Sequence, residues 1–553
     1  MPRKKDGRKS DVNRRGFKRK GGDNITDFIT RTTKLIETGK QFPPQSHIER
    51  LAKYERGRAI FNGKTYELYD RAAALLKDTP AEPQLKTLYI ACNIVDVLLT
   101  KPSDLLVGEP PTYESGKPDD SPEQEALNSI VEENDLNTRI HELVIGAGYR
   151  GDSFLKVRYD YSQDFSAIPE GLTPPNTEPE PIIEPVDASI VFPELARGSK
   201  KRFKAINIAW VEWVEKPNGA VMSVLSREKT VAEPFLNVER HIPGYILYER
   251  YRLHTNGIDN RCGAPIELFR IGENVPTGRE KEIVETGVAR PLVFHIPYKS
   301  VDDRWCGISG IEKIESLLAA INDRLVQIDY ILWKHSDPTA YGPDDIEEED
   351  GASVRISGKY IPVGKDDVIP GYMTWNSQLE GAFKELDYLL GMVFQMSETP
   401  QWLFGTTLAG DSRGGSGTSH TDSGAIKARF MPILAKVNRI RVHVDKAIRD
   451  ALWTAMELEN FANQGVDGFK AYEPVYPIIT WQDGIPKDEK EQAEIMQIRT
   501  GGKSTIDVHT AIKRLDGLDD SHASAIMKRI SKDEESTYGT VDGTVFNEVE
   551  VIE

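Results

Sequence analysis

The stretch QWLFGTTLAGDSRGGSGTSHTDSG occupies residues 401–424, and AIKARFMPILAKVNRIRVHVDKAIRDALWTAMEL continues it over residues 425–458. The first part has no helical or strand period and is rich in Gly, Ser and Thr. The second places Ile426, Phe430, Ile433, Val437, Ile440, Val444, Ile448 and Leu452 at steps of three and four, so one apolar stripe runs down a single helical face. Unbroken to Leu458, this helix is about 50 Å long at ~1.5 Å per residue. Pro432 lies inside it, removes one backbone hydrogen bond and is expected to bend the rod. A glycine-rich loop feeding a long bent helix reads either as a surface connection or as a loop held out into a space by a rigid support. Two catalytic readings fail on spacing. Gly414-Gly415-Ser416-Gly417-Thr418 lacks the final glycine of a nucleophile elbow, and it is not spaced as a phosphate-binding loop.

The helical period appears twice more upstream. Gly307-Ile308-Ser309-Gly310 is expected to open a helix running to His335, with Ile311, Ile314, Leu317, Leu318, Ile321, Leu325, Ile328 and Leu332 at near-heptad steps that suit packing along another long helix. Asp337-Pro338 ends it. A second helix carries Leu379, Phe383, Leu386, Leu390 and Val393 on one face and stops at Thr399-Pro400. Between the two, residues 339–375 hold strand-like pieces at 352–356 and 359–363 and the acidic run DDIEEED at 344–350. Two helices flanking a small insert can lie antiparallel as a stem with the insert at its tip, and the loop then returns at the other end.

Downstream, EPVYPIITWQDGIP leads to a helix over 487–500, a second capped by Ser504-Thr505-Ile506-Asp507 and ended at Gly517, and a third over 519–529. Residues 532–553 are acidic, without helical period, and are expected to be disordered. Towards the other end, residues 1–20 hold ten Lys or Arg and two Asp, a solvated block able to touch nucleic acid. Helices are expected at 24–40 and 45–59. A further one carries Leu88, Cys92, Val95 and Leu99 and should end near Lys101-Pro102. Short extended pieces follow at 105–107 and 112–114, then helices at 126–133 and 136–150. From Ser153 the period becomes two, with strands expected at 153–159, 188–192, 204–215, 221–227, 245–254 and 266–270 and a hairpin at Pro217-Asn218-Gly219. Residues 168–185, rich in Pro and Glu, read as an extended insertion. The pattern is α+β.

The chain has 553 residues and a net charge of −17, which argues against a wholly basic nucleic-acid binder. Cys92, Cys262 and Cys306 are far apart in sequence, so neither a disulfide framework nor a CxxC zinc site is indicated. No apolar run reaches the roughly 18 residues of a membrane span, and the basic start has no apolar core behind it.

Seven segments together resemble the portal proteins of tailed bacteriophages. They are LAKYERGRAIFNGK from Leu51, NIVDVLLTKPSDLLVGEPPTY from Asn93, IHELVIGAGYRGDSFLKVRYD from Ile140, GISGIEKIESLLAAINDRLVQIDY from Gly307, SETPQWLFG from Ser397, SGAIKARFMPILAKVNRIRVHVDKAI from Ser423 and WQDGIPKDEKEQAEI from Trp481. Their order over residues 51–532, rather than any one of them, carries the resemblance. In the sixth, the alanine follows the glycine directly, where the family has one residue between them.

The resemblance implies a portal fold with wing, two-helix stem, small α/β clip, long bent helix and helical crown. A basic arm would occupy residues 1–44, the wing 45–306, the stem helices 307–338 and 377–400, and the clip 339–376. The tunnel loop would be 401–422, the long helix and return to the wing 423–482, the crown 483–531 and an acidic tail 532–553. It also implies a homo-oligomeric ring of twelve subunits at one capsid vertex of the virion, assembled in the host bacterial cytoplasm. Double-stranded DNA would pass through it, bound without regard to sequence, in packaging and ejection. Other implied partners are the terminase large subunit, the major capsid and scaffold proteins and the head-completion or adaptor proteins, with no membrane. The tunnel loop residues would be Leu403, Gly405, Thr406, Thr407, Arg413, Gly414, Gly415, Ser416, Gly417, Thr418 and Ser419, offering soft contact to phosphates. Lys427, Arg429, Lys436, Arg439 and Arg441 either meet DNA or neighbouring subunits or form an ordinary solvated helix face. Asp344, Asp345, Glu347, Glu348, Glu349 and Asp350 would dock the motor or adaptor at the clip.

Enzyme readings find little support. Thr500-Gly501-Gly502-Lys503-Ser504-Thr505 resembles a phosphate-binding loop, but Gln497 stands where its first glycine belongs and a helix precedes it where a strand is required. His335 and His443 have no ligand partner at i+4, and no Asp/Glu pair stands out for acid–base work. No catalytic residue, metal or cofactor is expected. The alternatives are a terminase-like packaging enzyme and another virion ring or adaptor protein.

Overall fold

The computed structural model describes residues 34–64, 92–163, 165, 178–217, 230–260, 263–335, 340–343, 360–364, 378–404, 423–466, 468–482, 484, 489–516 and 520–538. Along them run β1 (Gln41–Phe42), α1 (Ile48–Phe61), α2 (Ile94–Val107), β2 (Thr112–Glu114), α3 (Pro122–Glu133) and α4 (Leu136–Arg150). Nine strands follow: β3 (Asp152–Asp160), β4 (Glu180–Val186), β5 (Val191–Leu195), β6 (Phe203–Pro217), β7 (Thr230–Ile242), β8 (Tyr245–Asp259), β9 (Ile266–Val275), β10 (Ile283–Glu285) and β11 (Val293–Pro297). Then come α5 (Glu315–His335), β12 (Ala340–Pro343), β13 (Tyr360–Val363), α6 (Gln378–Met396), α7 (Ser423–Ala462), β14 (Ile478–Thr480), α8 (Glu489–Thr500), α9 (Val508–Asp516) and α10 (Asp520–Tyr538).

The large sheet has the order β1-β9-β8-β7-β6-β5, with β10 paired to the start of β8, and every pairing is antiparallel. A three-stranded sheet, β11-β3-β4, is also antiparallel. β12 and β13 pair in parallel, and β14 closes on β2. One face of the large sheet packs with α1 around Phe42, Leu51, Tyr54, Phe192, Leu236 and Phe269. The second and larger core gathers α2, α3, α4, β3, α5 and α6 around α7. The α7 stripe is fully interior there: Ile433, Val437, Ile440, Val444, Ile448 and Leu452 are all buried. Its length, 40 residues, is sustained through Pro432.

Several expectations change. α2 does not stop at Pro102 but runs to Val107, so residues 105–107 are helical rather than extended. The proline costs one i→i−4 bond, and that loss is made good from another element, as described below. The helix expected from Gly307 begins at Glu315. Ahead of it the backbone bonds elsewhere: Ile308 N–H to the Lys299 carbonyl at 2.9 Å and Gly310 N–H to that of Gly148 at 2.8 Å. Gly307 also lies so close to Gly151 that a Cβ would stand 2.1 Å from the Gly151 oxygen. Part of the Pro/Glu-rich insertion is the edge strand β4, where prolines lacking an N–H are tolerated. β7 had no counterpart in the strand pattern, because Pro234 interrupts its alternation. α10 extends to Tyr538, past the expected end at Arg529 and into the acidic tail. Residues 34–40, expected at the end of a helix, form bends and turns. The basic block 1–20, the strand-like pieces 221–227 and 352–356, the acidic run 344–350 and residues 539–553 lie outside the described residues.

Candidate functional site at the root of the glycine-rich segment

α6 ends in a Schellman-type closure. Thr399 N–H bonds the Phe394 carbonyl at 3.1 Å and Glu398 N–H that of Gln395 at 3.2 Å. Glu398 takes the left-handed position, φ 56°, where glycine is usual. Its side chain explains the choice: the carboxylate meets Arg439 of α7 at 2.5 Å. Thr399 is fully buried. A 3-10 turn at Gln401–Phe404 follows, closed by Leu403 N–H to the Pro400 carbonyl at 3.2 Å, and Leu403 packs on the larger core. The glycine-rich residues 405–422 leave from this turn, and α7 receives the chain at Ser423.

Lys436 ties this root to the rest of the molecule. It sits on the α7 stripe, three residues after Ile433 and four before Ile440, and is only 7% exposed. Its Nζ donates to Thr399 Oγ1 at 3.3 Å and to the Leu98 carbonyl at 3.3 Å. Leu98 is the residue four before Pro102, so its carbonyl is the one Pro102 leaves without an N–H. Burial brings the Lys436 ammonium down from 10.5 to about 8; the Glu398 carboxylate opposes that shift and the Arg439 charge adds to it. Tyr298 stands beside it on the chain leaving β11, its N–H bonded to the Gly151 carbonyl at 2.9 Å and its hydroxyl buried without a hydrogen-bond partner among the described residues.

A second buried network fixes the base of the same region. Asp152, fully buried at the start of β3, accepts from Tyr54 Oη, from the Gly307 N–H at 2.7 Å and lies 2.6 Å from His295 Nε2. Burial alone would raise this carboxyl, but the bonds from His295, Tyr54 and Gly307 outweigh it and hold Asp152 below its ordinary value.

Of the expected site residues, Leu403 is at the root, while Gly405, Thr406, Thr407, Arg413, Gly414, Gly415, Ser416, Gly417, Thr418 and Ser419 lie outside the described residues, as do Asp344, Asp345, Glu347, Glu348, Glu349 and Asp350. Lys427 and Arg429 fall in the first turns of α7. Lys436 is a correction: it is an interior residue on the apolar stripe, not part of a solvated face, because a lysine at that position points into the core. Arg439 is paired with Glu398, and Arg441 donates to the Gln482 carbonyl at 2.9 Å and lies over the Trp481 ring. The roles of Glu398, Thr399, Tyr298 and Pro102 were not read from sequence, although a lysine interrupting an apolar stripe was a visible signal.

Residues 43–178 match the family model described as phage portal protein, SPP1 Gp6-like. Over that quarter of the chain, the protein is similar to the phage portal protein family. The match covers α1 to β3 and holds the three earliest of the seven family-like segments; the other four lie outside it. No curated protein matches the chain. Phage portal proteins are structural components of the virion that serve DNA passage at a capsid vertex. The family implies a homo-oligomeric ring.

Proposed function

We propose that this chain is a portal protein, that twelve copies of it close around a channel at the capsid vertex, and that residues 401–422 form the loop facing the DNA. The observation that carries this reading is the root: a helix end locked to α7 by Glu398, Thr399 and Lys436 that releases a Gly/Ser/Thr-rich segment. A firm root with a segment rich in Gly, Ser and Thr suits a duplex that must slide, because tight base-specific contacts would act as a brake. In this reading α5 and α6, joined by Arg324–Glu385 at 2.5 Å, are the stem. Residues 339–376 are the clip, where the terminase large subunit and later the head-completion or adaptor proteins dock on the acidic run 344–350. The wing, 45–306, faces capsid and scaffold proteins, and the crown, 483–531, lies inside the capsid. Assembly takes place in the bacterial cytoplasm before packaging. Packaging energy comes from the motor and not from this chain.

Single-particle electron microscopy with mass determination tests the proposal. A closed ring with an axial channel, narrow at the end formed by 339–376, is expected. Monomers under every salt condition, with capsid and scaffold proteins present, would overturn it.

A further inference from the structure

Between the turns that precede α5, the end of α6 and the middle of α7 lies a cleft of about 60 Å³. Its charged and hydroxyl-bearing walls include Tyr298, Lys299, Lys313, Glu398, Lys436 and Arg439. Four cations thus face one carboxylate, and that carboxylate is engaged by Arg439. Lys299 and Lys313 are exposed and have no ion pair among the described residues. Deeper in, two donors are left over. The Tyr298 hydroxyl is buried with no hydrogen-bond partner among the described residues, and the charges that act on it are those of Glu398 and Arg439 in the cleft wall. Lys436 has three N–H groups and, among the described residues, two protein acceptors, both at 3.3 Å. Buried donors without acceptors are costly, and this cleft holds surplus positive charge beside them. A single water needs about 10–15 Å³ of such space, so the cleft has room for several waters or one small oxyanion.

We propose that this cleft is an oxyanion site for a phosphate group, with Tyr298 and Lys436 donating from its floor and Lys299 and Lys313 supplying charge at its mouth. The phosphate is either a phosphodiester of the DNA backbone or free phosphate. Assigning it to DNA rests on the portal reading, whereas the site itself does not.

The test uses the full chain in phosphate-free buffer at constant ionic strength. Thermal unfolding is followed while inorganic phosphate replaces chloride, and binding of a labelled duplex is followed separately by anisotropy. Phosphate should raise the unfolding midpoint saturably. Tyr298→Phe, which removes only the hydroxyl, should weaken phosphate about tenfold, as expected for a hydrogen bond to a charged group. Lys299→Gln combined with Lys313→Gln, both on the surface and neutral to folding, should weaken it by a similar factor. Duplex binding that falls in the same variants and is displaced by phosphate makes the DNA backbone the ligand. Duplex binding indifferent to them leaves free phosphate as the ligand. If phosphate does no more than chloride, or if the variants titrate like the parent, the cleft holds water only and the proposal is wrong. A ring that forms without any phosphate response removes the site and leaves the portal reading intact. A phosphate response without rings does the reverse.

Discussion

A buried lysine usually has a carboxylate in contact, yet the two groups within hydrogen-bond reach of Lys436 are neutral oxygens. Its stability effect has a definite sign. The unfolded chain keeps the proton up to the ordinary 10.5, while the folded chain releases it near 8. Between those values the unfolded state binds more protons, so stability rises with pH across that window. At ~1.4 kcal/mol per unit the rise is at most about 3 kcal/mol. Urea midpoints at pH 8 and pH 10 should therefore diverge between the parent and Lys436→Met, the variant lacking this rise; parallel profiles would sink the assignment. Asp152 behaves oppositely. Its carboxyl is held below the ordinary 3.8, so its contribution is complete above that value and is lost as pH falls through the lower folded value. Asp152→Asn should cost about 3–5 kcal/mol at neutral pH, the range for removing one charged member of a buried network, and should flatten the acid limb of the stability curve. A midpoint within experimental error of the parent at pH 7 would show the network to be dispensable.

Pro102 and Lys436 form one device shared by α2 and α7. The proline frees the Leu98 carbonyl, and the lysine, reaching from 338 residues away, accepts the task of satisfying it. Pro102→Ala restores the N–H within α2, so it should reduce the damage done by Lys436→Met, with a coupling of about 1 kcal/mol in a double-mutant cycle. Additive effects would mean that the two residues act apart. This link also shows why parts of the fold were not legible in sequence. The α7 stripe was, since every third or fourth residue is apolar and that face lies in the core. The end of α2 was not, because the partner that rescues its proline is supplied by another helix. The late start of α5 was equally hidden: it depends on Gly307 and Gly151 lying back to back, a contact between distant segments. β4 was masked by prolines that only an edge position permits. At the site, composition exposed the glycine-rich segment but not its root, which is made by tertiary bonds. Deleting residues 414–418 should spare that root and so leave ring assembly unchanged, while reducing DNA packaging or retention. Loss of rings in the deletion, seen by electron microscopy, would make the segment structural.

For the whole molecule, charge and assembly pull against each other. Each chain carries −17, so subunits brought into a ring repel one another over distances that salt controls. The screening length falls from about 30 Å at 0.01 M to about 8 Å at 0.15 M, so the repulsion shortens in range. Apolar contacts between subunits are not weakened by that change and polar ones only modestly. The ring fraction should therefore increase with sodium chloride from low to physiological strength, with mass photometry as the readout. Duplex binding should show the opposite trend, since neutralised phosphates release counterions that added salt returns. The basic block at residues 1–20 offsets part of the negative charge with ten cations against two acids. Removing it should move the salt needed for half-assembly upward without changing the direction of the dependence. Rings that fall apart as salt is added would reverse the argument, because subunit contact would then rest on opposite charges meeting across the interface rather than on apolar surface overcoming a shared negative field.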